Sequence, residues 1–428
     1  MHTGEKIINI AMKYGWESAD AFSVAFKREY NVSPSFARRN QVNLEPFHRL
    51  YYTLSIKHIK RDAGMKKIAK IRPLFNEERG HNFALPDCLK LITECMGWGE
   101  NPDYWDFAAL TGDSVAQVYN TNPSTGCDYC VSGYLAGPEY IGYIFDALGY
   151  EHEYITATQL NAAPDKYIRK IVEMIDRDVP VLVKTNLNDI PEWHSDVGTH
   201  CVIVGYDCGG QVVKLLLDAG KTDTVDCFIS GKNKMDLIFI GEKRREVNLE
   251  DMYIAAINKM THWLTLPERD GKYFGAAAYR KWADDIEAGR YEDENLPLWE
   301  NYGVYVCNLA TSPGIPFFIF KRLSNMNPAY SHYITLYNDI KKIFSAYKPD
   351  DIIPLDESKD GLWSCLEHLG GGFPNKTTVA TMKDKEKRTE IAAVLRDYAE
   401  RVDRAVELLD GAVCTNSAFC CNQKSPEH

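Results

Sequence analysis

Cys88, His200 and Asp218 are residue types that together can make a nucleophile: a thiol, an imidazole to take its proton, and a carboxylate to orient the imidazole. Cys88 follows Pro86 and Asp87 at the head of an apolar run to Met96, an order that suits the first turn of a helix. A thiol placed there has its thiolate favoured by the helix dipole and by exposed N–H groups. His200 opens an apolar strand over 200–207. A turn at Cys208-Gly209-Gly210 follows, and a second strand over 211–217 leads to Asp218. Such a hairpin sets His200 and Asp218 at one end of a sheet, where an imidazole oriented by the carboxylate could take the proton from Cys88. The competing reading is a buried Cys88 and a structural His200.

Between the halves of this set lie Trp98, Tyr104, Trp105 and Phe107, then Leu110-Thr111-Gly112-Asp113, then Cys127-Asp128-Tyr129-Cys130. Rings beside glycine and threonine turns suit a core or, equally, a pocket for a small organic ligand, because rings bury area and hydroxyls fix orientation. The candidate lining is Trp98, Tyr104, Trp105, Phe107, Thr111 and Tyr129. Cys127 and Cys130 have metal-ligand spacing, but no second such pair follows in the body, so no metal is expected. No cofactor is expected either: Gly370-Gly371-Gly372 lacks the preceding strand and the following Lys-Ser/Thr of a phosphate-binding loop.

The elements that must position these groups belong to a chain of 428 residues, long enough for several domains. No stretch has the apolar core of a signal peptide or a membrane span, and the cysteines are too sparse for a disulfide framework, so thiols in a cytoplasmic protein are expected. The net charge of −11 is unevenly spread. Residues 1–75 hold 14 Lys and Arg against 6 Asp and Glu, a net +8, which leaves −19 for 76–428. A phosphate backbone attracts the first part and repels the second, so DNA contact is expected in the basic head alone.

Within the head, Ile7, Ile8, Ile10 and Ala11 have helical spacing up to Gly15, and Ser18 opens a second helix. Its apolar face is Ala21, Phe22, Ala25 and Phe26, and Pro34 begins the next turn. The run Gly15-Trp16-Glu17-Ser18, Ala21-Phe22-Ser23, Ala25-Phe26-Lys27-Arg28, Val32-Ser33-Pro34 and Arg38-Arg39 resembles the signature of the AraC family of transcription regulators. In that family the signature belongs to the second of two helix-turn-helix units, and only this unit is matched. The resemblance implies that Ser18 opens the recognition helix, that Ala19, Asp20, Ser23 and Val24 face bases, and that Lys27, Arg28, Arg38 and Arg39 lie near phosphates. Val24 could touch a thymine methyl but makes no bidentate bond to guanine.

Alternation over 50–70, with a turn at Asp62-Ala63-Gly64, reads as a basic hairpin linking head to body. Beyond it the order Cys, His on a strand, Asp after the next strand resembles papain-like folds, and the body is similar to the family of butirosin biosynthesis protein H, whose activity is acyl transfer. That resemblance makes Asn82, six residues before Cys88, the candidate oxyanion-hole amide. Leu89 and Lys90 depart from it, standing where small residues usually let a substrate approach. After 262 the chain reads as helical, with Met326, Tyr330, Tyr333, Ile334 and Tyr337 as helix packing and an amphipathic helix over 388–409.

The fold class expected is α+β: a partial helix-turn-helix (1–42), a basic hairpin linker (43–75), a papain-like domain (76–262), a helical region (263–412) and a loose tail (413–428). The function expected is a ligand-responsive DNA-binding regulator with a papain-like sensor body, taking a small organic ligand or acyl donor and able to act as a homodimer. The alternative is a cysteine-dependent acyltransferase or hydrolase with a vestigial head. The two part on whether Cys88, His200 and Asp218 meet.

Overall fold

A computed structural model describes residues 6–7, 9–10, 18–30, 32–39, 64–69, 71–74, 83–98, 102–116, 118–121, 130–135, 137–186, 189–190, 198–217, 223–295, 299, 302–306, 309, 318–344 and 361–421. The fold is mixed α and β, in two compact units, 1–62 and 63–428.

In the first unit, Ile10 N–H donates to the Lys6 carbonyl at 3.1 Å, one helical turn before α1 (Ala19–Tyr30) and the short α2 (Pro34–Arg39). Phe22, Phe26 and Tyr30 recur every four residues, so their rings form a ladder along one side of α1, with centroids 5.6 and 4.8 Å apart. Phe26 is buried, as are Pro34 and Ala37 on α2, and Ser33 Oγ accepts the Phe36 N–H at the start of that helix.

The second unit is organised by an antiparallel sheet. Its strands are β1 (Lys66–Lys67), β3 (Tyr150–Ile155), β4 (Val181–Asn186), β5 (Gly198–Asp207), β6 (Val212–Leu216), β7 (Val225–Phe228) and β8 (Asp236–Lys243), in the order β3-β8-β4-β5-β6-β7 with β1 added to β5. The β5–β6 hairpin expected from the sequence is present, joined through a 3-10 turn at Cys208–Gly210. β4 and β5 are near-continuous apolar runs because both sheet faces are covered. One face meets α8 (Pro164–Asp176), in a core of Ile168, Ile171, Val181, Val183, Cys201 and Ile203. The other meets α3 (Ala84–Cys95), α6 (Pro138–Leu148) and α9 (Leu249–Leu264) in a larger core holding Cys88, Leu182, Val202 and Ile238.

Short elements complete this half: α4 (Tyr104–Leu110), α5 (Val131–Leu135), α7 (Ala157–Ala162), and the ribbon of β2 (Val118–Asn120) with β9 (Lys272–Phe274). The helical remainder comprises α10 (Gly275–Glu287), α11 (Tyr302–Tyr305), α12 (Phe318–Met326), α13 (His332–Ile343), α14 (Leu362–Leu369), α15 (Lys376–Lys383) and α16 (Lys385–Cys421). α10 packs along α16, and the stripe of Ile391, Leu395, Tyr398 and Val402 joins the same core as the sheet.

The described end of the linker adds to the body's sheet: Lys66 and Lys67 pair with Tyr206 and Gly205 of β5. The region after 413, read as loose, continues α16 to Cys421. A 3-10 turn at Pro328–Tyr330 separates α12 from α13. Residues 50–63 lie outside the described residues.

Candidate functional site

Two elements carry the groups expected to do chemistry. α3 starts at Ala84 after Phe83, two residues before the expected Pro86, so Cys88 is past the first turn and gains little from the helix dipole. α3 packs on β5 and β4, and Cys88 is fully buried in the core that also takes Val202 and Leu182. Residues alternate across a strand, so His200 shares the Val202 face and lies on the side of the sheet that α3 covers. The fold therefore brings Cys88 and His200 to one face.

It does not make them a working pair. His200 is 2% exposed, and its Nε2 atom has no hydrogen-bond partner. Burial, and then the Lys184 charge opposite it on β4, push the imidazole pKa down to about 3, so it is neutral at pH 7. Burial, followed by the neighbouring Cys201 and Asp87, pushes the Cys88 thiol well above its ordinary value. Arg72 opposes that shift without reversing it. A neutral thiol and a neutral imidazole, with no hydrogen bond from Nε2, are the reverse of an activated nucleophile. Asp218, Asn82 and Tyr129 lie outside the described residues.

Sequence reasoning missed the polar row that accompanies His200. The register sets Lys184 opposite His200 and also opposite Asp236 of β8, so Asp236, Lys184 and His200 cross three neighbouring strands on one face. Asp236 is engaged locally, accepting from the Tyr154 hydroxyl at 2.6 Å and the Ala157 N–H at 2.7 Å. Single polar residues inside apolar strands were the signal available for this row.

No protein-family model and no curated protein matches the chain. What the residues can do rests on their geometry alone.

The six residues offered as a ligand lining are divided. Trp98 and Phe107 pack edge to face with centroids 6.4 Å apart in the large core. Tyr104 and Trp105 join Phe83, Ala108 and Cys130 in a separate small cluster, where the Tyr104 hydroxyl accepts the Phe83 N–H at 2.7 Å. Thr111 is fully buried and its hydroxyl bonds Asp113 Oδ2 at 2.9 Å. These polar atoms bind one another, as in a core.

Asp113 is the centre the sequence did not mark. Its Oδ1 accepts the Ser132 N–H at 2.7 Å, and the Cys130 thiol and Ser132 hydroxyl also approach it. Tyr140 donates to the Thr111 carbonyl at 2.7 Å. Burial lifts the Asp113 carboxyl to about 6 against these hydrogen bonds. Among the described residues, no group of three or more His, Cys, Asp or Glu side chains is placed to hold a metal ion. Nor is any described helix long and apolar enough to cross a membrane.

The head presents the opposite surface. Val24 is 70% exposed, Ser18, Lys27 and Arg39 are exposed, and Ser23 and Arg38 are half-buried. Val24 lies on the side of α1 away from the Phe22-Phe26-Tyr30 ladder, Lys27 follows it three residues on, and the half-buried Ser23 flanks the ladder. The side chains of Ala19, Asp20 and Arg28 are outside the described set.

Proposed function

We propose that this protein is a ligand-responsive DNA-binding regulator of AraC type, whose α+β body senses a small organic ligand or acyl donor. The observation that carries the reading is a contrast in exposure. Of the residues expected to meet DNA, Ser18, Val24, Lys27 and Arg39 are exposed, whereas Cys88 and His200 are buried and neutral, with His200 Nε2 not hydrogen-bonded. The body keeps a papain-like arrangement of helix on strand as a scaffold for binding, and a homodimer would supply a second basic head.

A cysteine-dependent acyltransferase is the second reading, favoured by one observation. A buried imidazole nitrogen without a partner is rare enough to want an explanation, and a substrate or a moved thiol would supply one.

Fluorescence anisotropy with a short DNA duplex tests the first reading. The expected result is weak binding that falls by orders of magnitude between about 50 and 200 mM salt and weakens with Lys27→Glu. No binding at low salt overturns it. Cys88 alkylation that is fast at neutral pH and collapses in His200→Ala would favour the enzyme instead.

A further inference from the structure

Asp87 directly precedes Cys88 on α3, and its side chain is fully buried. The guanidinium that meets it comes from Arg72, outside the helix. Arg72 Nη2 lies 2.8 Å from Asp87 Oδ1 and donates to the Asp87 carbonyl at 3.2 Å, while Nε lies 2.7 Å from Glu94 Oε2, two turns further along α3. Burial works against the guanidinium charge, but the Asp87 and Glu94 carboxylates outweigh it and hold the Arg72 pKa above its ordinary value. Lys90 fastens the same helix, with Nζ 2.9 Å from Glu94 Oε1 and donating to the Pro102 carbonyl at 3.2 Å.

Arg72 is itself moored to the sheet that α3 covers. Lys66 and Lys67 pair with β5, the Ile68 N–H donates to the Val204 carbonyl at 2.9 Å, and Leu74 joins the core of Cys88 and Leu89. The two partners of the ion pair are unequal. Arg72 is half-buried and within reach of water, whereas the carboxylate it neutralises is not. Separating them returns the guanidinium to water at little cost but leaves Asp87 as a bare charge in a core, which is strongly unfavourable. That carboxylate regains water where α3 lifts from β4 and β5, and Cys88, the next residue, is uncovered with it. Cys201 and Cys227 lie in the core on the other face of the sheet, under α8, which lifting α3 does not open.

We propose that the Arg72–Asp87 pair is a latch: it holds α3 closed over Cys88, and its release uncovers that thiol while the sheet and its other face stay folded. Proteins open in such local units at free energies below that of global unfolding. The latch lies within the second unit and does not depend on the head. It goes beyond the regulator reading by supplying the opening that the closed Cys88 needs before any reagent can reach it.

The test is alkylation of the folded full chain by iodoacetamide at pH 8, read by mass spectrometry at Cys88, Cys201 and Cys227. Arg72→Met keeps an apolar stem and removes the guanidinium, so Cys88 labelling should rise about tenfold or more while Cys201 and Cys227 change less than about twofold. Adding Asp87→Asn to Arg72→Met removes the charge that must be hydrated, and Cys88 labelling should fall back to within about threefold of the wild type. Arg72→Lys, which keeps a charge but loses the fork that spans Asp87 and Glu94, should give a rise of about threefold and serves where Arg72→Met does not fold. An ion pair that only stabilised the whole unit would raise all three thiols together, and that result overturns the latch. Cys88 labelling that is unchanged without the guanidinium, or that stays high in the double variant, overturns it as well. None of these outcomes bears on duplex binding, so the latch can fail with the regulator reading intact.

Discussion

Asp113 and His200 are both ionisable, both buried and both within the same unit, yet their surroundings differ. Asp113 receives the Ser132 N–H and the Thr111 hydroxyl at 2.7 and 2.9 Å. His200 Nε2 receives nothing. Each group is driven by burial toward its neutral form, the carboxyl up to about 6 and the imidazole down to about 3. The difference lies in what holds each in place. A carboxyl with several donors fixes a turn, whereas an imidazole with an orphaned nitrogen is held by packing alone. Asp113 therefore reads as architecture, and His200 as a site waiting for a partner.

The largest effect should come from the turn that Asp113 stabilises. Gly112 has φ +81, and a Cβ there would lie 2.8 Å from Trp263 Cδ1. Gly112→Ala combines left-handed strain with overpacking against a buried indole, so a loss of about 3 kcal/mol or more is expected by urea unfolding. A loss under about 1 kcal/mol would mean that the turn is soft and that Asp113 fixes nothing. Asp113→Ala should follow at about 2–3 kcal/mol, because it strands the buried Ser132 N–H and Thr111 hydroxyl, with Asp113→Asn less damaging. Equal losses in the two variants would show that hydrogen bonding at this position is unimportant.

The sequence made the sheet and helices legible wherever one pattern ran long. The β5–β6 hairpin follows from an apolar run, a Cys-Gly-Gly turn and another apolar run, and α1 follows from the spacing of Phe22 and Phe26. Cys88 could be placed on a helix but not in depth, because burial is set by what covers the helix, here the apolar faces of β4 and β5. The Asp113 centre was hidden for another reason. Its donors come from Thr111 and from Ser132, nineteen residues after Asp113, and no local periodicity announces a contact across such a separation. The pairing of Lys66 and Lys67 was hidden for a related reason: alternation identifies a strand without naming every partner, here Tyr206 and Gly205 on β5.

Opposite pH responses sharpen the contrast further. The folded His200 pKa lies below its unfolded value of about 6.5, so as pH falls through that value the unfolded chain takes a proton the folded chain refuses. Stability is lost from about pH 6.5 downward, by about 1.5 kcal/mol at pH 5 relative to His200→Leu, which does not titrate. The folded Asp113 pKa lies above its unfolded value of about 3.9, so between about pH 6 and 4 the folded chain keeps a proton the unfolded chain has released. Acidification from pH 6 to 4.5 should therefore stabilise the wild type by about 1.5 kcal/mol relative to Asp113→Asn. Urea unfolding of the three proteins at pH 7, 6, 5 and 4.5 measures both. Two responses of the same sign would break the comparison.

The smallest expected effect decides whether Cys88 shares His200's electrostatics. A thiol whose pKa is raised by burial is neutral in both folded and unfolded chains below pH 8, so Cys88→Ala removes volume and no charge. The loss should be about 1 kcal/mol, from a small cavity, and constant from pH 5 to 8. A thiolate–imidazolium pair holds the same single proton as a thiol beside a neutral imidazole, so the slope of stability with pH is the same for both and the thiolate itself must be read. A pair would show thiolate ultraviolet absorbance at pH 7 that disappears in Cys88→Ala, and it would make the two residues catalytic in form. An absorbance unchanged by Cys88→Ala leaves the thiol and the imidazole neutral in the resting protein.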